Sequence, residues 1–317
     1  MPRGSIPRRL RRYKFDAPLL AAGLLTLEWD NRYTEHMENK YYLLSVKELC
    51  EDNGNERLSR EVLDRVDKDR REKAVRMQAG AGRAASLGAG LLLQLAVQGA
   101  LKEGTDRKGS ENRGTEGKKI RIVVEEVDSA GGKRQDSATE EKLAVYTVSQ
   151  ALKLLEEPLD LKFRYGPNGK PYLQDHPFYF NLSHSGEYVF CAISDREVGV
   201  DIQQYRPVDE IRLARRFFSE EEQKALTRCM DSEERRKLFY RLWTRKEAYG
   251  KLTGEGIVAS MGRNVLPADE LLTLDMTLLS QLRVEKLMTE KADIKSLFWQ
   301  EWILKEYSIA LCQYKAC

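Results

Sequence analysis

The sequence predicts an α+β protein. Three observations carry that expectation. Strand-like apolar runs and helix-like periodic stretches follow one another along the chain instead of segregating to its ends. Two helix starts are written in capping signatures, Ser219-Glu-Glu-Glu222 and Asp231-Ser-Glu-Glu234. Finally, Glu187-Tyr-Val-Phe-Cys-Ala-Ile193 is echoed by Glu306-Tyr-Ser-Ile-Ala-Leu311. Two similar halves packed around a pseudo-twofold explain the echo, and a shared strand pattern arising by chance explains it equally well.

The elements follow in order. A first strand is expected at Tyr41–Val46, then helices near Ser59–Gln78 and Ala84–Leu101. The second of these is nearly uncharged and barely reaches membrane length, and its glycines and glutamines make a buried helix, Leu87–Ala100, the better reading. Lys102–Lys142 mixes six glycines with dense charge of both signs and reads as a flexible insertion. Within it only Ile120–Val124 suits a strand. A helix is expected near Val148–Glu156, with strands at Phe178–Leu182, Tyr188–Ser194 and Gly199–Ile202. The capping signatures start helices at Glu220 and after Asp231, the latter running to about Leu252 before Gly254. Late strands are expected near Leu282–Lys286 and Tyr307–Gln313.

The chain has 317 residues, 41% hydrophobic and 32% charged, a composition that excludes a wholly disordered, collagen-like or multi-span membrane protein. That length suits about two domain-sized units of roughly 150 residues. We divide it into an N-terminal extension, 1–36, an N-terminal half, 37–198, interrupted by the insertion 102–142, and a C-terminal half, 199–317. Residues 1–36 hold seven basic and four acidic side chains, which accounts for the whole net charge of +3 and leaves the body balanced. Charge therefore gives the body no general pull toward nucleic acid or membrane. Arg8, Arg9, Arg11 and Arg12 ahead of the apolar run Ala17–Leu27 imitate a signal peptide, but Glu28, Trp29 and Asp30 follow without a small-residue cleavage site. Met37-Glu-Asn-Lys leading into the first strand is expected to be the natural start. The odd count of five cysteines, with no C-x-x-C, argues against a disulfide framework or zinc knuckle and for a reducing cytoplasm.

Three clusters carry chemistry. In Gly199-Val-Asp201-Ile-Gln203, Asp201 and Gln203 share one strand face and Val200 and Ile202 the other. An Asp so placed can hold a hard cation, though a strand-end Asp more often caps a turn. In Trp243-Thr-Arg-Lys246-Glu247-Ala-Tyr-Gly-Lys251, Glu247 and Lys251 lie four apart on one helix face. They suit a carboxylate on a metal and an ammonium on a phosphate, or else an ordinary surface ion pair. Asn181-Leu-Ser183-His184-Ser185-Gly186 suits anion binding by backbone N–H groups with a histidine donor, or simply a polar turn. No G-x-S-x-G elbow supports a hydrolase serine.

In that order and spacing the three clusters resemble the Sfp-type 4'-phosphopantetheinyl transferase superfamily. Gly169-Lys-Pro-Tyr-Leu173, Arg70-Arg-Glu-Lys73 with Arg76, and Arg215-Arg-Phe-Phe-Ser219 add to the resemblance. It covers roughly Tyr41 to Cys312, apart from the insertion. It implies two similar α/β halves related by a pseudo-twofold, with coenzyme A in the cleft between them. The implied reaction moves the phosphopantetheine arm from CoA to a serine of an apo acyl or peptidyl carrier protein and releases 3',5'-ADP. It implies Mg²⁺, with Mn²⁺ as an alternative, held by Asp201, Gln203 and Glu247. Glu247, Lys251 and Asp201 would be catalytic, Glu247 accepting the serine proton and Lys251 neutralising the diphosphate. Arg70, Lys73 and His184 would hold the CoA 3'-phosphate with help from Ser183, and Lys170 and Pro171 would flank the adenine. Gln203 departs from the Glu that many members carry, which implies a weaker metal site with activity retained. A non-catalytic CoA-binding homologue and an RNA-binding protein are the competing readings. The expected enzyme is a cytoplasmic monomer with neither nucleic acid nor membrane as partner.

Overall fold

The computed structural model describes residues 39–50, 56–106, 118–121, 142–174, 176–265, 297–304 and 306–314. The chain begins with β1 (Lys40–Ser45), the short helices α1 (Lys47–Cys50), α2 (Glu56–Leu63) and α3 (Lys68–Arg76), and the long helix α4 (Ala81–Asp106). There follow β2 (Lys118–Arg121), β3 (Lys142–Thr147), α5 (Val148–Leu154), the small ribbon β4 (Phe163–Tyr165) and β5 (Pro171–Leu173), and the hairpin β6 (Tyr179–Ser185) and β7 (Tyr188–Ser194). The C-terminal part holds β8 (Val198–Gln204), α6 (Glu210–Phe217), α7 (Glu220–Arg228), α8 (Ser232–Thr253), α9 (Ile257–Met261), β9 (Leu297–Leu304) and β10 (Tyr307–Tyr314). The mixed order fits the predicted α+β class.

One sheet runs β2-β3-β1-β7-β6 and a second β8-β10-β9. The two share a path. A strand leads to a long helix, and the chain returns as an antiparallel hairpin whose second strand pairs with the first: β1, α4, β6 and β7, then β8, α8, β9 and β10. The echoed segments open β7 and β10, and their Tyr188 and Tyr307 rings meet edge to face at 5.0 Å.

Side-chain alternation sets the layers. Leu44 and Val189 face a cluster that contains Leu91 and Leu92 of α4. Their neighbours Leu43 and Phe190 face the second sheet, where Val200, Ile202, Trp302 and Ile309 complete a shared core. On the far side of that sheet, Trp299, Ala310 and Cys312 pack with Ala248 and Leu252 of α8. The stack is therefore α4, sheet, sheet, α8. As expected, α4 is a buried helix, although over Ala81–Lys102 it is long and apolar enough to cross a bilayer. Gly90 explains part of its glycine content: a Cβ there would meet Val66 Cγ1 at 2.6 Å and collide with the Arg70 stem, so glycine lets α3 lie against α4.

Several expectations need correction. The single helix Ser59–Gln78 is two helices, because Asp67 Oδ1 accepts the Arg70 N–H at 2.9 Å and starts α3 afresh. The Asp231 signature is a one-sided cap, whose carboxylate accepts the Glu233 and Glu234 N–H groups while Glu234 turns to Lys237. The Ser219 box is reciprocal, as its spacing predicts. In the segment read as a flexible insertion, α4 continues to Asp106, and β2, which overlaps the start of the strand expected at Ile120–Val124, pairs antiparallel with β3 as a sheet edge. The rest of that segment, the extension 1–36 with Met37, and the strand expected at Leu282–Lys286 lie outside the described residues. Sequence reading missed α1, β3, β4, β5, α6, α9 and β9.

Candidate active site

The site forms where β6, β8 and α8 meet. Alternation along β6 turns Asn181, Ser183 and Ser185 toward β8. Asn181 Oδ1 accepts the Val200 N–H at 3.0 Å and Ser185 Oγ accepts the Gln204 N–H at 3.0 Å, so side chains join the two sheets here. Between these contacts the Ser183 hydroxyl donates to Asp201 Oδ1 at 2.6 Å. On β8, Val200 and Ile202 point into the core between the sheets and Asp201 points the other way, toward α8. Gly199 permits this approach: a Cβ there would collide with the Ala248 carbonyl oxygen and the Leu252 nitrogen of α8.

Asp201 is 1% exposed. Lys251 Nζ donates to its Oδ1 and to Ser183 Oγ, each at 2.8 Å. Gln203 Nε2 donates to Asp201 Oδ2 at 3.3 Å, and its own carbonyl oxygen accepts from Ser185 Oγ at 3.4 Å. Glu247 lies one turn before Lys251 on α8. Burial, and then the negative charge of Asp201, push its carboxyl up to about 7 against the pull of Lys251 and a hydrogen bond from Trp243. A proton or a cation relieves that conflict. Among the described residues no three His, Cys, Asp or Glu side chains converge, so the acidic donors are this pair alone. Two paired carboxylates suit Mg²⁺, which keeps several waters and demands few protein ligands. As the sequence predicts, Asp201, Glu247 and Lys251 come together. Gln203 joins them through its amide N–H, with its oxygen turned to Ser185.

Beside this cluster opens a cleft of about 520 Å³. Arg70 and Lys73 of α3, His184 of β6, Lys170 and Pro171 of the β4–β5 hairpin, and Lys251 line it. Five of these six residues carry or can carry positive charge. Arg70 is held by Asp67 at 3.5 Å and donates to the Ser86 carbonyl oxygen at 3.2 Å. Desolvation lowers the His184 pKa first, and Lys251, Arg70 and Lys73 add to this, while Asp201 opposes it. An anionic ligand among these cations reverses the electrostatic part. Ser183, expected on the ligand, is buried behind Lys251 with its hydroxyl committed to Asp201. Phe163, Tyr165, Asn168 and Phe180 also line the cleft. Sequence reasoning passed them over, and the only signal for them was the turn Gly166-Pro-Asn-Gly169 before Lys170.

The remaining polar residues of the Trp243–Ala248 segment are structural. Thr244 shares a 3.1 Å hydrogen bond with Ser308 of β10. Arg245 donates to the Val265 carbonyl at 2.9 Å and to Glu301 of β9 at 2.8 Å. The fully buried Lys246 pairs with the equally buried Glu222 at 2.7 Å and donates to the carbonyls of Met261 and Arg263. One helix thus holds β9, β10, α7 and the stretch after α9 while presenting Lys251 to the cleft and Glu247 to the neighbourhood of Asp201.

Comparison with known proteins bears out the resemblance. Residues 197–312 match the family model described as the 4'-phosphopantetheinyl transferase superfamily. Among the relatives, the 4'-phosphopantetheinyl transferase Sfp of Bacillus subtilis is 38% identical over 99 residues, 31% of this chain and 43% of its own. Psf-1 of Bacillus pumilus is 46% identical over 91 residues, 28% of this chain and 38% of its own. AcpT of Salmonella typhimurium is 37% identical over 142 residues, 44% of this chain and 65% of its own. The chain spans less than half the length of the two Bacillus relatives.

Proposed function

We propose that this protein transfers the 4'-phosphopantetheine arm of coenzyme A to a serine of an apo acyl or peptidyl carrier protein, releasing 3',5'-ADP. The observation that carries the reading is the meeting of Asp201, Glu247 and Lys251 beside a cleft walled by Arg70, Lys73 and His184. A doubly phosphorylated nucleotide needs such cations, and a diphosphate under attack needs paired carboxylates to recruit a divalent ion. The recurring order of strand, long helix and hairpin supports two halves related by a pseudo-twofold, with the cleft at their junction. The reading includes a cytoplasmic monomer, a core that starts at about Met37, and the half boundary near residue 198.

In this reading Arg70, Lys73 and His184 bind the 3'-phosphate, and the Lys170 stem with Pro171 flanks the adenine. Asp201 and Glu247, with Gln203 beside them, hold Mg²⁺ or Mn²⁺. The bound ion offsets diphosphate charge and stabilises the leaving phosphate. The carrier serine Oγ forms a bond to the phosphorus of the phosphopantetheine, and the P–O bond to 3',5'-ADP breaks. Glu247 accepts the serine proton. Lys251 neutralises the charge that accumulates on the departing phosphate. Ser183 holds Lys251 and Asp201 in register.

Intact-mass analysis of an apo carrier protein incubated with this chain, CoA and Mg²⁺ tests the proposal. The expected result is a gain of one phosphopantetheine, lost with EDTA and lost in Glu247→Ala. No gain on several unrelated carriers, despite measurable CoA binding, overturns it in favour of a non-catalytic CoA-binding protein.

A further inference from the structure

The last turn of α8 carries Lys251 and ends at Gly254. The final carbonyls of a helix have no partner within it and form the negative end of its dipole. Here they are met from outside by one hairpin. Asn168 Nδ2 donates to the Gly254 carbonyl oxygen at 2.6 Å. Lys170 Nζ donates to the Leu252 carbonyl oxygen at 2.8 Å and lies 3.4 Å from Glu197 Oε2. Its side chain is only 9% exposed. Tyr172 hydrogen-bonds Glu197 as well, and the Lys170 ammonium sits 5.4 Å from the Tyr172 ring centre. Within the turn, the Gly166 N–H donates to the Lys170 carbonyl and the Gly169 N–H to the Gly166 carbonyl, both at 2.9 Å, which fixes the tip.

We infer that the β4–β5 tip is a latch on the C-terminus of α8, and that Asn168 and Lys170 are positioning residues for Lys251. The inference rests on the reading of Lys251 as the group that neutralises the diphosphate. Lys170 then has two parts with separate tasks. Its stem lines the cleft, and its ammonium, already bonded to a carbonyl and a carboxylate, holds the helix end. Leu252 adjoins Lys251 in the same turn, so the hydrogen bond at its carbonyl sets where the Lys251 ammonium stands relative to Asp201 and Ser183. The hairpin that touches the ligand is thereby mechanically joined to the element that carries out the chemistry.

Asn168→Ala and Asn168→Asp in the full chain test this, because neither side chain can donate to the Gly254 carbonyl. Without substrate, hydrogen exchange by mass spectrometry should be faster over residues 249–254 in both variants, and unchanged exchange overturns the latch. In steady state, kcat should fall about three- to tenfold, the worth of one such hydrogen bond, while KM for CoA stays within about twofold. A raised KM with unchanged kcat overturns the inference and makes the tip a simple wall of the cleft. Lys170→Arg, which still donates, should restore the kcat that Lys170→Met loses. If the wild-type chain transfers nothing, the transferase reading fails, and the exchange measurement still decides the latch.

Discussion

Glu247 stands in the sharpest electrostatic conflict of the site, a half-buried carboxylate beside the buried carboxylate of Asp201, with Lys251 as the nearest counter-charge. Gln203 is where this conflict can be tuned. Its amide adds a donor to Asp201 and no charge. Gln203→Glu supplies a third carboxylate, so the Mg²⁺ concentration for half-maximal transfer should fall. A Mg²⁺ titration of both proteins measures this, and an unchanged dependence places residue 203 away from the ion. At this scale the sequence was highly informative. Periodicity fixed which side chains share a face, Asp201 with Gln203 on a strand and Glu247 with Lys251 on a helix. Each cluster alone also fitted a turn cap or a surface ion pair, and only the family resemblance of the three clusters together singled these residues out. The hydrogen bonds of Ser183 to Asp201 and of Lys170 to the Leu252 carbonyl were not legible in the sequence, since these partners lie 18 and 82 residues away.

At the scale of elements, the close crossing of β8 and α8 depends on Gly199. Gly199→Ala puts a methyl group against helix backbone that has no rotamer with which to yield. The expected cost is about 3 kcal/mol, the upper end for overpacking, with a lower thermal midpoint and loss of transfer. A variant that melts like the wild type shows that the crossing has room to relax. Element identity was legible wherever a local signal existed: the Ser219 box, the apolar β7, the long α4. The break between α2 and α3 was hidden because Asp64 to Arg76 is rich in charge, so Asp67 did not stand out as a cap. β9 was missed because Glu301 interrupts its apolar run, and only the folded chain shows Arg241 and Arg245 enclosing that carboxylate.

For the molecule as a whole, Glu301 is a point of acid sensitivity. Burial alone would raise its pKa, but Arg241 and Arg245 overcome this and hold it at about 2 instead of the usual 4.5. A lowered carboxylate stabilises the fold above its unfolded pKa and loses that contribution as pH falls through the folded one. Stability should therefore decline between about pH 4.5 and 2. Glu301→Gln should flatten this part of the pH profile while lowering stability at neutral pH by about 3 kcal/mol, because two arginines lose their counter-charge. Chemical denaturation across pH measures both effects, and an unaltered acid slope assigns the sensitivity elsewhere. The seam at β6 and β8 has a different kind of consequence. Asp201 of β8 and His184 of β6, the acid and the histidine of the proposed site, belong to separate sheets, stitched together by Asn181, Ser183 and Ser185. Neither sheet owns a working site. If the proposed transfer is right, turnover would be a census of correctly mated sheets, and a preparation with misregistered halves would look folded by its spectrum and silent in its chemistry.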